Sequence, residues 1–277
     1  MNLFSPSEIV ANYAAAGAAK AQAPAWKLLL LGILAGFCIS IGGVVTNTAS
    51  HCADSAASIR LISGLLFPFG LAMVVLMGAE LFTGNCLISI SVLDGKASFL
   101  GMLRNWVLVY AGNFIGSALT AAAGVYAGQL DYSSCGLAVF TIKLAAAKCS
   151  IAFGPAFVLG VLCNLLVCSG VLLSLSAKDT AGRILGAYLP VAFFVLAGYE
   201  HCVANMYYVP AGIFAASIPA YAEKAAALGL DLTALSWSSF IVKNLVPVTL
   251  GNIVGGAALG ALLWACFRTK KPSGAAR

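Results

Sequence analysis

Two glutamates, Glu80 and Glu200, stand inside hydrophobic stretches and share one frame, Gly-x-Glu-x-x-x-x-Asn. The first copy reads Gly78-Ala-Glu80-Leu-Phe-Thr-Gly-Asn85 and the second Gly198-Tyr-Glu200-His201-Cys-Val-Ala-Asn205. A carboxylate at bilayer depth is costly unless it is paired or turned toward water, so such a residue marks a functional site by default. His201, beside the second glutamate, can donate from one ring nitrogen and accept at the other, and its ordinary pKa lies nearest neutral pH. Thr83 stands at the equivalent place in the first copy and brings a hydroxyl. These groups can hydrogen-bond a small ligand or exchange a proton with it, at a midplane site made from a duplicated unit. That is the equipment of a pore or a transporter.

The elements that must carry this site are membrane spans. Hydrophobic residues make up 61% of the 277 and charged residues 9%, against roughly 25% charged in a soluble domain. Charge-free stretches run 28–50, 61–79, 105–130, 149–177, 184–199, 202–222 and 244–267. The stretches 28–50, 105–130, 149–177 and 244–267 each exceed the ~20 residues that cross a hydrocarbon core. The remainder forms two interrupted spans, 61–93 around Glu80 and 184–222 around Glu200-His201. The order is full, broken, full, then full, broken, full.

A second pattern supports duplication. Asn105-x6-Gly112-Asn113-x-x-Gly116 matches Asn244-x6-Gly251-Asn252-x-x-Gly255, and each copy follows its broken span. Three spans per half send the second half into the membrane from the opposite side, which gives an inverted repeat. The predicted fold is therefore all-α and integral to the membrane, with six transmembrane helices in a 3+3 inverted repeat and the second and fifth broken. We place the breaks near 82–86 and 200–206, where Thr83-Gly84-Asn85 and Ala204-Asn205 are poor helix continuers. Pro68, Pro190 and Pro210 add to this by removing backbone donors. Unwound backbone at this depth is tolerated where it is buried or lines a cavity. Glu80, Glu200, Asn85 and Asn205 are read as structural support at the breaks, the carboxylates accepting from freed backbone groups.

Residues 1–27 form an N-terminal helix and linker, 28–267 a single channel domain, and 268–277 a basic tail. Ser5-Pro6-Ser7-Glu8 is a capping box with proline at the first helical position, and the helix is expected to end near Gly17. It either anchors the chain or gates it. Of the 15 Lys and Arg, Arg60, Lys143, Lys148, Lys224 and Lys243 fall on the face opposite the termini and the rest on the termini's own face. That bias places both termini in the cytoplasm of a multi-pass inner or plasma membrane protein. The net charge of +6 reflects topology and contact with the lipid bilayer rather than nucleic acid.

Seven of the nine cysteines lie within spans and read as small hydrophobes. Cys52 and Cys135, both in outer loops, are the pair that an oxidising compartment could join. No Cys/His spacing suggests a metal, no glycine-rich phosphate loop is present, and no cofactor is expected. Lys148 begins the fourth span and serves either to draw anions inward or to snorkel to the interface. Asn164, an isolated amide among Leu and Val, must face a partner or the pore.

Gly-Ala-Glu-Leu-Phe-Thr-Gly-Asn at 78–85, Asn-x6-Gly-Asn at 105–113 and Gly-Tyr-Glu-His-Cys-Val-Ala-Asn-Met at 198–206 resemble the signatures of the formate/nitrite transporter family. The resemblance runs from the Ser5-Pro6 helix to the sixth span and looks closest to the hydrosulfide branch. It implies an aquaporin-like fold, a homopentamer, and one pore per protomer for hydrosulfide, formate or nitrite. It further implies that Thr83 and His201 flank the pore centre, with Lys148 and Asn164 nearby. The positions that match its hydrophobic constrictions are Phe67, Leu71, Leu81 and Phe194.

An anion in an apolar slit costs several kcal/mol or more, and its neutral conjugate acid far less. A pore for weak-acid anions thus needs a cationic vestibule and a central donor, His201, which is expected to protonate the anion, because a lone hydrogen-bond donor lowers the cost of a charge without removing it. A proton-coupled carrier is the near alternative. A water or small-solute channel would share the inverted repeat, but the paired Asn-Pro-Ala breaks of that class are missing from the sequence. An integral-membrane enzyme lacks the further His/Asp/Glu cluster it would need.

Overall fold

The computed structural model describes residues 3–268, and among them every regular element is a helix. In chain order they are α1 (Pro6–Gln22), α2 (Ala25–Ser50), α3 (Ala56–Leu66), α4 (Phe69–Met77), α5 (Phe82–Asn85), α6 (Ile88–Leu93) and α7 (Phe99–Tyr126). The second half continues with α8 (Tyr132–Cys149), α9 (Phe153–Ser176), α10 (Thr180–Ala197), α11 (Cys202–Ala216), α12 (Pro219–Ala227) and α13 (Trp237–Phe267). The last of these contains a π-helical turn over Phe240–Leu245. Among the described residues six helical stretches, with α3 and α4 taken together as Ala56–Met77, are long and apolar enough to cross a membrane, and the shorter apolar segments Phe82–Leu93 and Cys202–Ala216 complete the second and fifth spans. From Thr269 onward the basic tail lies outside the described residues.

The two halves are built alike and inverted. Within each half, the first and third spans approach through glycine. A Cβ placed on Gly116 would stand 2.1 Å from the Ile33 carbonyl oxygen, and one on Gly255 would stand 2.3 Å from that of Val161. Such contacts let α2 meet α7 and α9 meet α13 at backbone distance, the small-residue packing that membranes favour where burial cannot drive association. The correspondence reaches one helix further than the spans. The hydrogen bonds described below make α1 the counterpart of α8, so each half carries a peripheral helix on its own face of the membrane.

Several boundaries differ from the sequence expectation, for physical reasons. The breaks fall at 78–81 and 198–201, beginning before the expected 82–86 and 200–206, and a second turn at Cys86–Leu87 separates α5 from α6. Gly78 and Gly198 adopt left-handed conformations (φ 67° and 75°) and close α4 and α10, as glycine does at a helix C-terminus. Thr83-Gly84-Asn85 lies inside the short α5, while Pro190 and Pro210 lie within α10 and α11. The first glycine of each repeated frame is therefore the breaker. Helix α1 runs through Gly17 to Gln22 because its last turn is held by Lys20. Its capping box forms as the sequence indicates, with the Ser5 Oγ accepting from Glu8 N–H and the Glu8 carboxylate accepting from Ser5 N–H at 2.7 Å. Lys148 lies in the last turn of α8 and not at the start of the fourth span. Cys52 and Cys135 are free thiols, with Cys52 Sγ 3.4 Å from Ser133 Oγ.

Candidate functional site

Each break leaves backbone groups without helical partners, and at this depth they must be satisfied by protein. One asparagine per half does this. Asn113 accepts from Phe82 N–H (2.9 Å) through its side-chain oxygen and donates to the carbonyls of Gly32 (2.8 Å) and Glu80 (2.9 Å). Asn252 repeats the arrangement, accepting from Cys202 N–H (2.9 Å) and donating to Gly160 (2.8 Å) and Glu200 (3.0 Å). The amides of Glu80 and Glu200 donate to the carbonyls of Leu31 and Leu159. The sequence marked Asn113 and Asn252 as parts of a repeat but not as the clamps of the breaks. The signal was there in their fixed spacing after each Gly-x-Glu frame.

The sequence expectation that the carboxylates accept from the freed backbone is not met; they are held by lysine and asparagine instead. Lys148 Nζ lies 2.8 and 3.0 Å from the Glu200 carboxylate oxygens, Asn205 donates to Glu200 at 2.7 Å and to Asn244 Oδ1 at 2.8 Å, and Asn244 donates to the Lys148 carbonyl. In the first half, Lys20 Nζ lies 2.9 and 3.0 Å from the Glu80 oxygens, Asn85 donates to Glu80 at 2.6 Å and to Asn105 Oδ1 at 2.9 Å, and Asn105 donates to the Lys20 carbonyl. Each buried carboxylate thus has a cation and a polar network, the condition under which burial is tolerated. The copies differ at one contact. Lys20 also donates to Asn85 Oδ1 (3.0 Å), whereas Asn205 Oδ1 is buried without a hydrogen bond and Lys148 Nζ sits 5.6 Å from the Tyr208 ring centre.

His201 is the N-cap of α11. Its Nδ1 accepts from Ala204 N–H at 3.0 Å, so the neutral ring carries its proton on Nε2 and donates it to Thr83 Oγ1 at 2.9 Å. Thr83 then keeps its own hydroxyl proton to give. The positive end of the α11 dipole faces the same point. Asn164 lies one layer behind, donating to the carbonyls of Thr83 (3.1 Å) and Asn252 (2.6 Å). It faces protein partners and locks the Thr83 backbone to the opposite half.

A cavity of about 640 Å³ opens toward the face opposite the termini and reaches His201. Its charged lining is Arg60, Lys143, Lys148 and Glu200, three cations against one carboxylate. Phe67 and Phe194 also line it, their ring centroids 6.0 Å apart and nearly perpendicular, and Phe194 stacks on His201 at 5.8 Å. Thr83 is fully buried across the His201 contact and does not border the cavity. Leu71 and Leu81 are buried away from it, Leu71 beside Gly170 and Leu81 as the residue that opens α5. His201, Thr83, Asn164 and Phe194 thus lie together beside Phe67, Lys148 and Glu200, while Leu71 and Leu81 stand apart from the cavity and Glu80 and Asn85 belong to a separate network with Lys20.

Comparison with known proteins agrees with this architecture. The family model described as formate/nitrite transporter matches residues 7–266. A probable formate transporter of Methanothermobacter thermautotrophicus is 37% identical over 94% of this chain and 95% of its own. The formate channel FocA of Haemophilus influenzae is 38% identical over 86% of this chain and 85% of its own. A solved structure, a pentameric formate channel with formate bound, superposes with a TM-score of 0.78 at 35% identity, covering 88% of this chain and 97% of that one.

Proposed function

The chain belongs to the formate/nitrite transporter family, and on that premise we propose that it is a passive channel for small monovalent anions of weak acids, formate first. Hydrosulfide and nitrite follow. The order differs from the hydrosulfide-first expectation of the sequence because the relatives compared above carry formate names. The same likeness supports a homopentamer, and the cavity inside the chain supports one pore in each protomer. The distribution of lysine and arginine supports cytoplasmic termini, so the 640 Å³ cavity is the external vestibule.

In this reading the excess of cations around the vestibule gathers anions from solution. Lys148 contributes charge while it neutralises Glu200. Phe67 and Phe194 form an aromatic collar that admits small, weakly hydrated ions, and Leu71 and Leu81 act as further constrictions toward the cytoplasm. Past the collar the anion meets His201 and Thr83. It replaces Thr83 as acceptor from Nε2–H and takes the Thr83 hydroxyl as a second donor. Asn164 keeps that hydroxyl in place through the Thr83 carbonyl.

The observation that carries the proposal is the capping bond from Ala204 N–H to His201 Nδ1. It fixes the donor nitrogen toward the path, and a second proton on Nδ1 would face another N–H. The histidine therefore serves as a neutral donor in this reading, in place of the proton donor expected from sequence, which favours a channel over proton-coupled carriage. Flux into liposomes containing this protein alone should rank formate, hydrosulfide and nitrite far above chloride. Equal passage of chloride, or no passage of any of these anions, would reject the proposal.

A further inference from the structure

The two left-handed glycines end their helices in different surroundings. A Cβ on Gly78 would meet nothing within 4 Å, whereas one on Gly198 would fall 2.6 to 2.8 Å from the guanidinium atoms of Arg60. That guanidinium lies flat against Gly198, and its Nη1 donates to the Val195 carbonyl at 3.2 Å. A cation at a helix C-terminus suits the negative end of the dipole. The termination itself does not require one, because Gly78 closes α4 without it. Arg60 is thus an addition to one half of the repeat, on the face that leads into the vestibule.

Its two attachments are informative. Arg60 belongs to α3, and the next residue after that helix is Phe67. Val195 follows Phe194 in the last turn of α10. Below Arg60 the two helices touch again at Gly64, where a Cβ would stand 2.7 Å from Leu196 Cγ, and Tyr188 Oη donates to the Leu65 carbonyl. The arginine is the outermost stitch in the seam that sets the spacing between the two rings of the collar. It is solvent-exposed and lines the cavity with Lys143 and Lys148.

We propose that Arg60 is a specificity-determining positioning residue, which fixes the end of α10 against α3 and thereby the aperture between Phe67 and Phe194. The inference rests on the reading of those rings as the collar. A charge that merely recruits anions would lower KM for every anion alike, and the effect would fade as salt screens it. A latch on the aperture acts on size, at saturating substrate and at any salt.

The test uses the full-length protein in liposomes, with formate and acetate flux measured at saturating concentration and at low and high salt. Arg60→Ala is expected to raise the acetate-to-formate ratio several-fold, independent of salt, and Arg60→Lys to restore part of the wild-type ratio. A second measurement does not depend on transport: the fluorine spectrum of 4-fluorophenylalanine placed at position 194 should shift in Arg60→Ala. An unchanged ratio with a salt-dependent rise in KM for both anions, or an unchanged fluorine spectrum, overturns the inference. If the wild-type protein passes neither anion, the proposed function fails, and the fluorine spectrum alone still decides the role of Arg60.

Discussion

Lys20 and Lys148 hold the same place in the two halves of the molecule, each bonded to the glutamate of its own break and each giving its backbone carbonyl to an asparagine of the following span. One sits on the N-terminal helix and the other on the helix that precedes the second half. The equivalence makes α1 a repeat element that packs a cation under Glu80, rather than an appendage. It also explains why α1 is anchored at its far end, beyond the glycine where its apolar pattern fades. The pairs are not equally sheltered. The side chains of Lys148 and Glu200 are 14% and 7% exposed, those of Lys20 and Glu80 28% and 9%.

That difference predicts unequal stability effects. Removing one partner of a buried pair leaves a charge without compensation and costs roughly 3–5 kcal/mol. Lys148→Met should approach that loss, and Lys20→Met should lose less because solvent reaches its pair. Adding Glu200→Gln to Lys148→Met should recover most of the stability, since the stranded charge is gone. Thermal unfolding of the detergent-solubilised protein reads all three. Equal losses for the two lysines, or no recovery in the double variant, would count against the pairing described above.

Asn113 and Asn252 each satisfy one N–H and one carbonyl that the breaks release, and tie them to a carbonyl of the neighbouring α2 or α9. A buried polar group left unpaired costs about 1–3 kcal/mol. Asn113→Ala and Asn252→Ala should therefore each destabilise the protein well beyond an ordinary asparagine truncation, and should reduce flux even where the protein still folds. Unfolding midpoints within a degree or two of wild type would show that the freed groups find other partners.

The sequence revealed the site through its repetition. Glu80 and Glu200 stood out because charge is rare in these stretches, and the recurrence of two patterns in one order gave the inverted repeat. What stayed hidden depends on contacts between residues distant in the chain. Nothing local says that Lys20 reaches back from α1 to a carboxylate in the second span, since a lysine near a helix end also reads as a topology signal. Asparagine and glycine after the glutamate look like helix breakers, which draws the expected breaks a few residues too far along the chain. With Asn113 and Asn252 holding the backbone from another span, the chain can restart a helix at Phe82 and Cys202 immediately. The leading glycine of each frame carried the true signal, as a residue free to turn left-handed. Only the family resemblance points to the collar, because periodicity does not separate Phe194 from an ordinary core ring.

Phe194 packs between Phe67 and His201 and is almost wholly buried. Truncation to alanine would cost roughly 3–5 kcal/mol as a core deletion, so a gain in permeability could be confused with partial unfolding. Phe194→Leu keeps most of the volume and should widen the slit at smaller cost. The expected result is measurable acetate flux in liposomes with formate flux at or above wild type. An unchanged size cutoff in a well-folded Phe194→Leu protein would move the collar elsewhere.

The last prediction concerns the proton of His201. Its Nδ1 is engaged by Ala204 N–H and its Nε2 points to Thr83, so the ring can give a hydrogen bond along the path without leaving the neutral form. Releasing the Nε2 proton to an anion would leave a strongly basic imidazolate in a buried site, and accepting a second proton on Nδ1 would break the helix cap. Asparagine at this position caps a helix N-terminus well and retains an amide donor, but it cannot exchange protons. His201→Asn should therefore conduct more slowly, because its donor is shorter, and keep the wild-type dependence of formate and hydrosulfide flux on pH. His201→Phe removes both cap and donor; it should block flux and lower stability by about 0.5–2 kcal/mol, the usual cost of a lost cap. A pH dependence present in wild type and absent in His201→Asn would show that the histidine gives up its proton, and would return proton-coupled carriage to first place.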